Sequence, residues 1–388
     1  MVFGLDDDKV AFPDPKYAEP DGLLAVGGKL NFEWLLTAYY YGIFPWFSVD
    51  QKPYWFSLDP RMVLKIDDFR YTKSLRRVVE SHRFEVRIDT DFEAVIRACS
   101  STPREGEDGT WITQDFLDGY IDLHRRGFAH SFETYYNGVL VGGLYGVSIH
   151  DVFSGESMFH TMTDASKVAF VRLIEWCRCH GFRFIDAQQP TDHLASLGAK
   201  PIPREEFSQL MSSLKLDETI VGKWPSHYAV LLIGGNQGDR VALLEEACSK
   251  INARIGSIAK VSKVYETEPW GFEADQNFLN MALLVDTDLD PEAVLHTALD
   301  IEAELGRVRH GQGYASRPMD IDIILYDHKV INSPDLIVPH PRMQQRRFVL
   351  QPLADIIPWY RHPVLRKSIA ALLAECLDPC EVRCKSKE

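Results

Sequence analysis

In the second half of the chain, apolar positions fall into runs of strand length and stretches of helical period. YAVLLIGG at 228–235 is a continuous apolar strand, and residues 239–255 carry Val241, Leu244, Ala247, Cys248 and Ile251 at helical spacing. KVSKVYETEPW (260–270) and FLNMALLVDT (278–287) read as strands. Residues 291–306 read as a helix with Pro291 in its first turn and Gly306 at its stop. ASRPMDIDIILYD (315–327) predicts a buried strand from Met319 to Tyr326, with a helix to follow near the C-terminus. The order β-α-β-β-α-β predicts a ferredoxin-like α+β sandwich. In the first half, VLVGGLYGVSIHDVFSGESMF predicts a hairpin over 139–148 and 151–159. A helix over 164–180 starting at Asp164 follows, then a short strand FIDAQ at 184–188. Around 215–228 a helix-like polar stretch gives way to Gly222 and Pro225 and then to a fresh apolar run. That junction leaves a part of about 225 residues and one of about 160, each a normal domain length.

Two carboxylates interrupt the last of these strands. Side chains alternate along a strand, so Asp320 and Asp322 share one face while Met319, Ile321 and Ile323 share the other. Burying two converging negative charges costs several kcal/mol unless something positive lies between them. A divalent cation held by two carboxylates keeps waters and binds substrate phosphates, in the manner of magnesium. Phosphate donors flank the strand: Arg307, Arg309 and Arg317 before it, and His340, Arg342, Arg346 and Arg347 after it. The set describes a nucleotide-triphosphate site, but not a P-loop, because GGNQGD at 234–239 lacks the lysine and the spacing. FIDAQ repeats the theme with one charge removed, sending Asp186 and Gln188 to one face. An acid beside an amide suits polarising and proton handling better than metal holding.

Composition narrows the picture further. The 388 residues are 45% hydrophobic and 25% charged, enough for full cores in two or three domains and unlike a disordered chain. The longest apolar stretch, 35–49, is interrupted by Gly42 and Pro45 and falls short of a membrane span. No basic-then-apolar signal peptide opens the chain, so a cytoplasmic location with no membrane partner is expected. The net charge of −14 argues against a protein that coats nucleic acid nonspecifically, yet leaves room for a local basic patch. Arg70, Lys73, Arg76, Arg77, Arg83 and Arg87 cluster together, with Lys73, Arg76 and Arg77 at helical i, i+3, i+4 spacing. They form either a solvated helix face or a phosphate contact. Aromatics crowd residues 34–56 and are core, or stacking platforms for bases. The seven cysteines are scattered, as reduced thiols are. Cys376, Cys380 and Cys384 recur every four residues and can share a helix face. Without interleaved histidines, free thiols on a tail helix are expected there rather than a metal centre.

The runs LLIGGNQGD, VYETEPWG, FLNMALLV, LGRVRHGQGYASRPMDIDIILYD and VPHPRMQQRRFVLQPLADI resemble 6-hydroxymethyl-7,8-dihydropterin pyrophosphokinase of folate biosynthesis, over essentially all of residues 228–380. The resemblance implies an ATP-dependent kinase domain over 227–388 in which Asp320 and Asp322 hold two Mg²⁺ ions between ATP and the attacking hydroxymethyl group. Arg309, Arg317, His340 and Arg346 match positions near the triphosphate, Arg309 and Arg317 among the catalytic groups, and Glu302 matches an acid on the adjacent helix that goes with the ATP site. Phe278 and Phe348 match the rings that sandwich the pterin, Asn280 the reader of its amide edge, and Trp270 an aromatic in the nearby loop. The chain departs from the family at Gly235, where serine is usual, at Tyr314, often Trp, and at Leu299, polar in some members. These departures bear on affinity rather than reaction type.

The first half carries a second resemblance. AFPDP, EPDGLLAVGG, YYYGIFPWF, WFSLDPR, GTWIT, LVGGLYGV, FSGESMF, ASKVAF and FIDAQQPTDHLASLGAKPIPR are similar to leucyl/phenylalanyl-tRNA–protein transferase across nearly all of residues 10–212. The implied architecture over 1–222 is a small N-terminal lobe, about 1–62, and a GNAT-like acyltransferase part, about 63–222. The implied reaction moves Leu or Phe from aminoacyl-tRNA to proteins beginning with Arg or Lys, creating an N-degron for degradation, with a donor pocket that would also admit Met. Asp186 and Gln188 match the catalytic pair, with Glu156 beside them. Trp46 and Trp111 would flank the 3′-terminal adenosine. Met158, Phe170, Leu173 and Leu144 would shape the aminoacyl pocket, and Lys73, Arg76 and Arg77 would touch tRNA phosphates. The fold class expected is thus multidomain α+β, and the function bifunctional, a tRNA-dependent aminoacyltransferase joined to a pterin pyrophosphokinase. The alternatives are that one half survives only as a binding or scaffold module, or that the first half is an acetyl-CoA-dependent acyltransferase.

Overall fold

The computed structural model describes residues 2–70, 72–102, 112–269, 274–307 and 315–385. The chain forms two compact units, Met1–Trp224 and Pro225–Glu388. Among the described residues no helix is long and apolar enough to cross a membrane.

The first unit opens with β1 (Phe3–Leu5), β2 (Leu23–Gly27), α1 (Phe32–Tyr40), β3 (Phe44–Val49) and β4 (Lys52–Phe56), whose strands form a sheet in the order β1-β2-β4-β3. Asn31 starts α1 by accepting from the Trp34 backbone N–H, leaving Trp34, Leu35, Ala38 and Tyr39 to pack inward. The chain continues through β5 (Arg61–Lys65), α2 (Lys73–Glu80), β6 (Glu85–Ile88), α3 (Phe92–Ser101), α4 (Gln114–Arg125), β7 (Ala129–Tyr136), β8 (Val139–Ile149) and β9 (Val152–His160). It ends with α5 (Ala165–His180), β10 (Phe184–Gln188), α6 (Asp192–Ser196), β11 (Lys200–Ile202) and α7 (Arg204–Ser212). A seven-stranded sheet runs β11-β5-β10-β9-β8-β7-β6. β8 and β9 pair antiparallel as the hairpin pattern predicts, whereas β9 and β10 run parallel, with α5 as the crossover between them.

Two expectations change here. The β10–β5 register slips between Asp186 and Gln188, and Gln188 takes a left-handed backbone with φ 57°, so strict alternation does not govern where these two side chains go. The unit also extends past 222, because Trp224 is buried in its core and its backbone N–H donates to Asp89.

The second unit runs β12 (His227–Gly235), α8 (Arg240–Arg254), β13 (Ser257–Val261), β14 (Tyr265–Thr267), β15 (Phe278–Thr287), α9 (Pro291–Glu304) and β16 (Asp320–Tyr326). A small hairpin, β17 (Ile331–Asn332) and β18 (Ile337–Val338), is followed by α10 (Arg347–Ile356), α11 (Ile369–Glu375) and β19 (Val382–Cys384). The antiparallel sheet has the order β16-β12-β15-β14-β19, with β13 also on β15. This is the expected sandwich with one added edge strand. Within 260–269 the chain forms two short strands, β13 ending at Val261 and β14 over Tyr265–Thr267, and between them Ser262 donates its N–H to the Ala282 carbonyl while its hydroxyl accepts the Ala282 N–H. The tail differs more. Cys376 ends α11, Cys380 lies in the loop that follows and Cys384 lies in β19, so the three thiols do not share a helix.

Alternation divides the sheet's faces by function. Leu231, Ile233, Leu279, Met319, Ile321 and Ile323 join one core with Leu244 and Ile251 of α8 and Val294, Ala298 and Ile301 of α9. Leu232, Gly234, Asn280, Asp320 and Asp322 alternate with them and line a cleft on the opposite face.

Candidate active sites

The cleft of the second unit has two connected ends. One is lined by Phe278, Phe348, Asn280, Thr267 and Gly234, the other by Arg307, His340, Arg342 and Pro341. Arg317, Asp320, Asp322 and Arg346 line both. The aromatic end is narrow because glycine permits it: a side chain on Gly234 would meet Asn280 Oδ1 at 2.5 Å. The Asn280 amide is buried, and its Nδ2 donates to Thr267 Oγ1 at 2.9 Å, which fixes its orientation. At the seam between the ends, the Arg317 guanidinium lies 5.7 Å from the Phe278 ring and that of Arg346 5.6 Å from the Phe348 ring.

The loop bearing Arg317 is clamped to Asn236, just past the end of β12. Asn236 Oδ1 accepts from the Arg317 N–H at 2.9 Å, and the Asn236 N–H donates back to the Arg317 carbonyl at 2.9 Å. Gly235 allows that approach, since a Cβ there would lie 2.1 Å from the Pro318 carbonyl oxygen. The two carboxylates differ in their neighbours. Asp320 pairs with Arg307 and with Arg317, the latter at 3.2 Å. Burial, together with the charge of Asp320, pushes Asp322 up to about 7, with Arg317 opposing. Burial and the charge of Arg346 hold His340 down at about 4, so its imidazole is neutral at pH 7.

The described residues contain no group of three or more histidine, cysteine, aspartate or glutamate side chains able to cage a metal alone. Two convergent carboxylates, one with a raised pKa, fit a cation that takes its remaining ligands from water and phosphate. Glu302 is not part of this lining. It is 2% exposed, accepts from the Ile321 backbone N–H at 2.8 Å and pairs with Arg307 at 2.5 Å. It therefore braces β16 and reaches the cleft through Arg307, which lines it. Arg309 and Trp270 lie outside the described residues. Arg347 turns away, donating to Asp378 and to the Cys376 carbonyl.

In the first unit a cavity of about 430 Å³ opens between β3, β9, α5 and β10. Leu144, Met158, Phe170 and Leu173 form its apolar wall, joined by Phe153 and Ile185. Trp46, Glu156 and Gln188 line the same space. Gln188 Nε2 donates to Glu156 Oε1 at 2.8 Å, and the Tyr120 hydroxyl donates to Glu156 Oε2 at 2.7 Å, itself hydrogen-bonded to Tyr39. Burial raises Glu156 to about 7, the charge of Asp186 adding to it and the hydrogen bonds from Tyr39, Tyr120 and Gln188 opposing. Trp111 lies outside the described residues.

Asp186 stands behind the cavity instead of in it. It is 1% exposed and takes a bidentate pair from Arg61, at 2.7 Å from Nε and 2.6 Å from Nη2. Its Oδ1 also accepts the Gln188 N–H at 3.0 Å. The acid and the amide expected as a catalytic pair thus differ in placement: Gln188 faces the cavity and Asp186 holds the bulge that presents it. The Arg61 guanidinium lies between the rings of Phe44 and Phe207, at 4.7 and 4.6 Å. Lys73, Arg76 and Arg77 occupy the start of α2, with Lys73 and Arg77 exposed, away from the cavity. Leu75 on the same helix packs in the core that contains Phe170 and Leu173. Arg61, Tyr39 and Tyr120 were not singled out from sequence. Arg61 ends the quoted block WFSLDPR, but nothing along the chain pairs it with a carboxylate 125 residues away.

A leucyl/phenylalanyl-tRNA protein transferase family model matches residues 63–212, and that of its N-terminal domain matches 28–59. A 7,8-dihydro-6-hydroxymethylpterin-pyrophosphokinase model matches 230–358. A leucyl/phenylalanyl-tRNA–protein transferase from Solidesulfovibrio magneticus is 51% identical over 223 residues, covering 58% of this chain and 90% of that protein. Its counterpart from Dechloromonas aromatica is 52% identical over 205 residues, covering 52% and 88%. Among solved structures, Plasmodium falciparum HPPK-DHPS wild type with SDX-DHP aligns with a TM-score of 0.32 at 20% identity, covering 39% of this chain and 43% of that one. The chain spans less than half of that protein, and nothing about function follows from the match. Through its first unit, 51% identical to a transferase of which it covers nine-tenths, the chain belongs to the leucyl/phenylalanyl-tRNA–protein transferase family, and its second unit is a pterin-pyrophosphokinase domain, both of enzyme families.

Proposed function

We propose that the chain is a bifunctional enzyme. Its first unit transfers Leu or Phe from aminoacyl-tRNA to the N-terminal Arg or Lys of a protein. Its second transfers pyrophosphate from ATP to 6-hydroxymethyl-7,8-dihydropterin, both in the cytoplasm. The observation that carries the reading is that each unit gathers recognition and chemistry into one cleft: apolar wall with Gln188 and Glu156 in the first, aromatic end with paired carboxylates and arginines in the second.

In the first unit the donor side chain enters the apolar wall, which favours Leu, Phe and Met and penalises polar chains through desolvation. The acceptor's α-amine attacks the ester carbonyl, a C–N bond forms, and the bond to the tRNA 3′-oxygen breaks. Gln188, its amide N–H committed to Glu156, offers its carbonyl oxygen to the amine, and Glu156, with a pKa matched to neutral pH, takes the amine's proton and returns it to the leaving 3′-oxygen. Asp186 keeps the bulge in place. The exposed bases of α2 contact tRNA phosphates.

In the second unit the pterin lies between Phe278 and Phe348, and Asn280, oriented by Thr267, reads its edge. Arg317, Arg342, Arg346 and neutral His340 bind the triphosphate and spread its charge. Asp320 and Asp322 would hold magnesium, which neutralises the phosphates when bound. The hydroxymethyl oxygen then displaces AMP from the β-phosphorus, and catalysis is mainly positioning and electrostatics. Both reactions are to be assayed on one full-length preparation: labelled leucine from Leu-tRNA to an Arg-initiated peptide, abolished by RNase, and pterin-dependent conversion of ATP to AMP. Absence of either from folded protein removes that half of the reading.

A further inference from the structure

The aminoacyl cavity has a back wall that no motif in the chain announces. Beyond α7, the segment 219–224 is tied to the first unit: Thr219 Oγ1 accepts from the His150 N–H, the Gly222 N–H donates to the Gly127 carbonyl, and the Trp224 N–H donates to Asp89. Gly127, with φ 81°, is required there, since a Cβ on it would lie 2.1 Å from the Gly222 nitrogen. The Trp224 indole is 1% exposed and sits in a four-ring stack. His130 lies 3.5 Å from it on one side and Trp176 3.5 Å on the other, with His180 3.7 Å beyond Trp176. Trp176 belongs to α5, the helix that also presents Phe170 and Leu173 to the cavity. The indole packs on Phe153, ring centroids 6.2 Å apart and tilted by 43°, and Phe153 is itself a cavity-lining ring.

We propose that Trp224 is a positioning residue for donor selection, acting through Phe153 and α5 to fix the depth of the aminoacyl pocket. The inference rests on the transferase reading above. It adds a determinant that lies outside the 63–212 segment matched by the family model, in the last residue before the pterin-pyrophosphokinase unit. Close packing is what makes a remote ring matter. With Trp224 in place, Phe153 has no room to retreat and the pocket ends at Phe-sized side chains. Truncating the indole leaves a void into which Phe153 can swing.

The test uses full-length protein and tRNA charged with Leu, Phe or Trp. Trp224→Ala is expected to raise the ratio of kcat/KM for Trp-tRNA over Leu-tRNA about tenfold, the shift residing in KM. Trp224→Phe, which keeps a ring in the stack, is expected to retain the wild-type ratio. A Trp224→Ala protein with lowered Tm but the wild-type donor ratio would mean that the ring only stabilises the fold, and would overturn the inference. Should the alanine protein not fold, Trp224→Leu is read by the same ratio. Wild-type protein that transfers no donor at all would sink the transferase reading, and the inference with it.

Discussion

Two strands of this molecule carry an acid at one position and a polar partner two residues later, and the fold treats them in opposite ways. In β10, Asp186 is matched inside the protein by a permanent cation, Arg61, in a bidentate pair with both side chains about 1–2% exposed. In β16, Asp320 finds Arg307 and Arg317, but Asp322 is left with a pKa near 7 on the wall of an open cleft. Charge balanced within the fold is architecture, whereas charge left unbalanced at a cleft calls for a ligand. The contrast predicts that the same kind of mutation has different consequences in the two units.

The largest expected effect is in the second. Asp320→Ala should lower pyrophosphokinase turnover about a thousandfold, with Tm changed little because losing the pairs with Arg307 and Arg317 is offset by relieving the repulsion of Asp322. Unchanged turnover would remove the metal assignment. In the first unit, Arg61→Met leaves Asp186 buried and unpaired and should destabilise by about 3–5 kcal/mol in urea unfolding. The double variant Arg61→Met, Asp186→Asn should recover much of that loss. If Arg61→Met costs no more than a surface substitution, the pair is not structural.

A third expectation concerns Glu156. Its folded pKa is raised to about 7, so it is neutral below and ionised above, and transfer rate should fall as pH drops through about 7. Glu156→Gln should remove that limb and leave only the titration of the acceptor amine, near 8. Stability follows the raised-acid sign: it is full below the unfolded carboxyl value and lost as pH rises through about 7. Glu156→Gln should therefore raise Tm at pH 8 and not at pH 4. The smallest effect is on α2, where Lys73→Ala with Arg77→Ala should raise KM for tRNA several-fold and flatten its salt dependence by about two phosphate contacts. An unaltered salt slope would return those bases to a solvated helix face.

Period and alternation carried most of the elements. FLNMALLVDT is a strand over its full length, β15, and the helix with Pro291 in its first turn stops at Glu304 before Gly306. The apolar wall residues were legible only through resemblance, because a Leu, Met or Phe at helical or strand spacing looks the same whether it meets another side chain or a cavity. Errors arose where long-range partners override local pattern. Alternation put the Asp186 and Gln188 side chains on one face, but the pairing slip and Arg61 turn them apart while the Gln188 N–H stays bonded to Asp186. The four-residue cysteine spacing suggested a helix, but α11 ends at Cys376 and the following segment finds an edge to pair with. Resemblance alone places Glu302 with the ATP site, and no local pattern shows that its carboxylate satisfies a strand N–H and pairs with Arg307.

That paired edge has a consequence of its own. β19 lies along β14, with Val382 opposite Thr267, the residue whose hydroxyl orients the Asn280 amide. Sealing the sheet against strangers and steadying the Asn280 amide are therefore one task, performed by residues far along the chain from either. Shortening the protein ahead of Val382 should make it both stickier and less selective among pterins, two faults with a common origin.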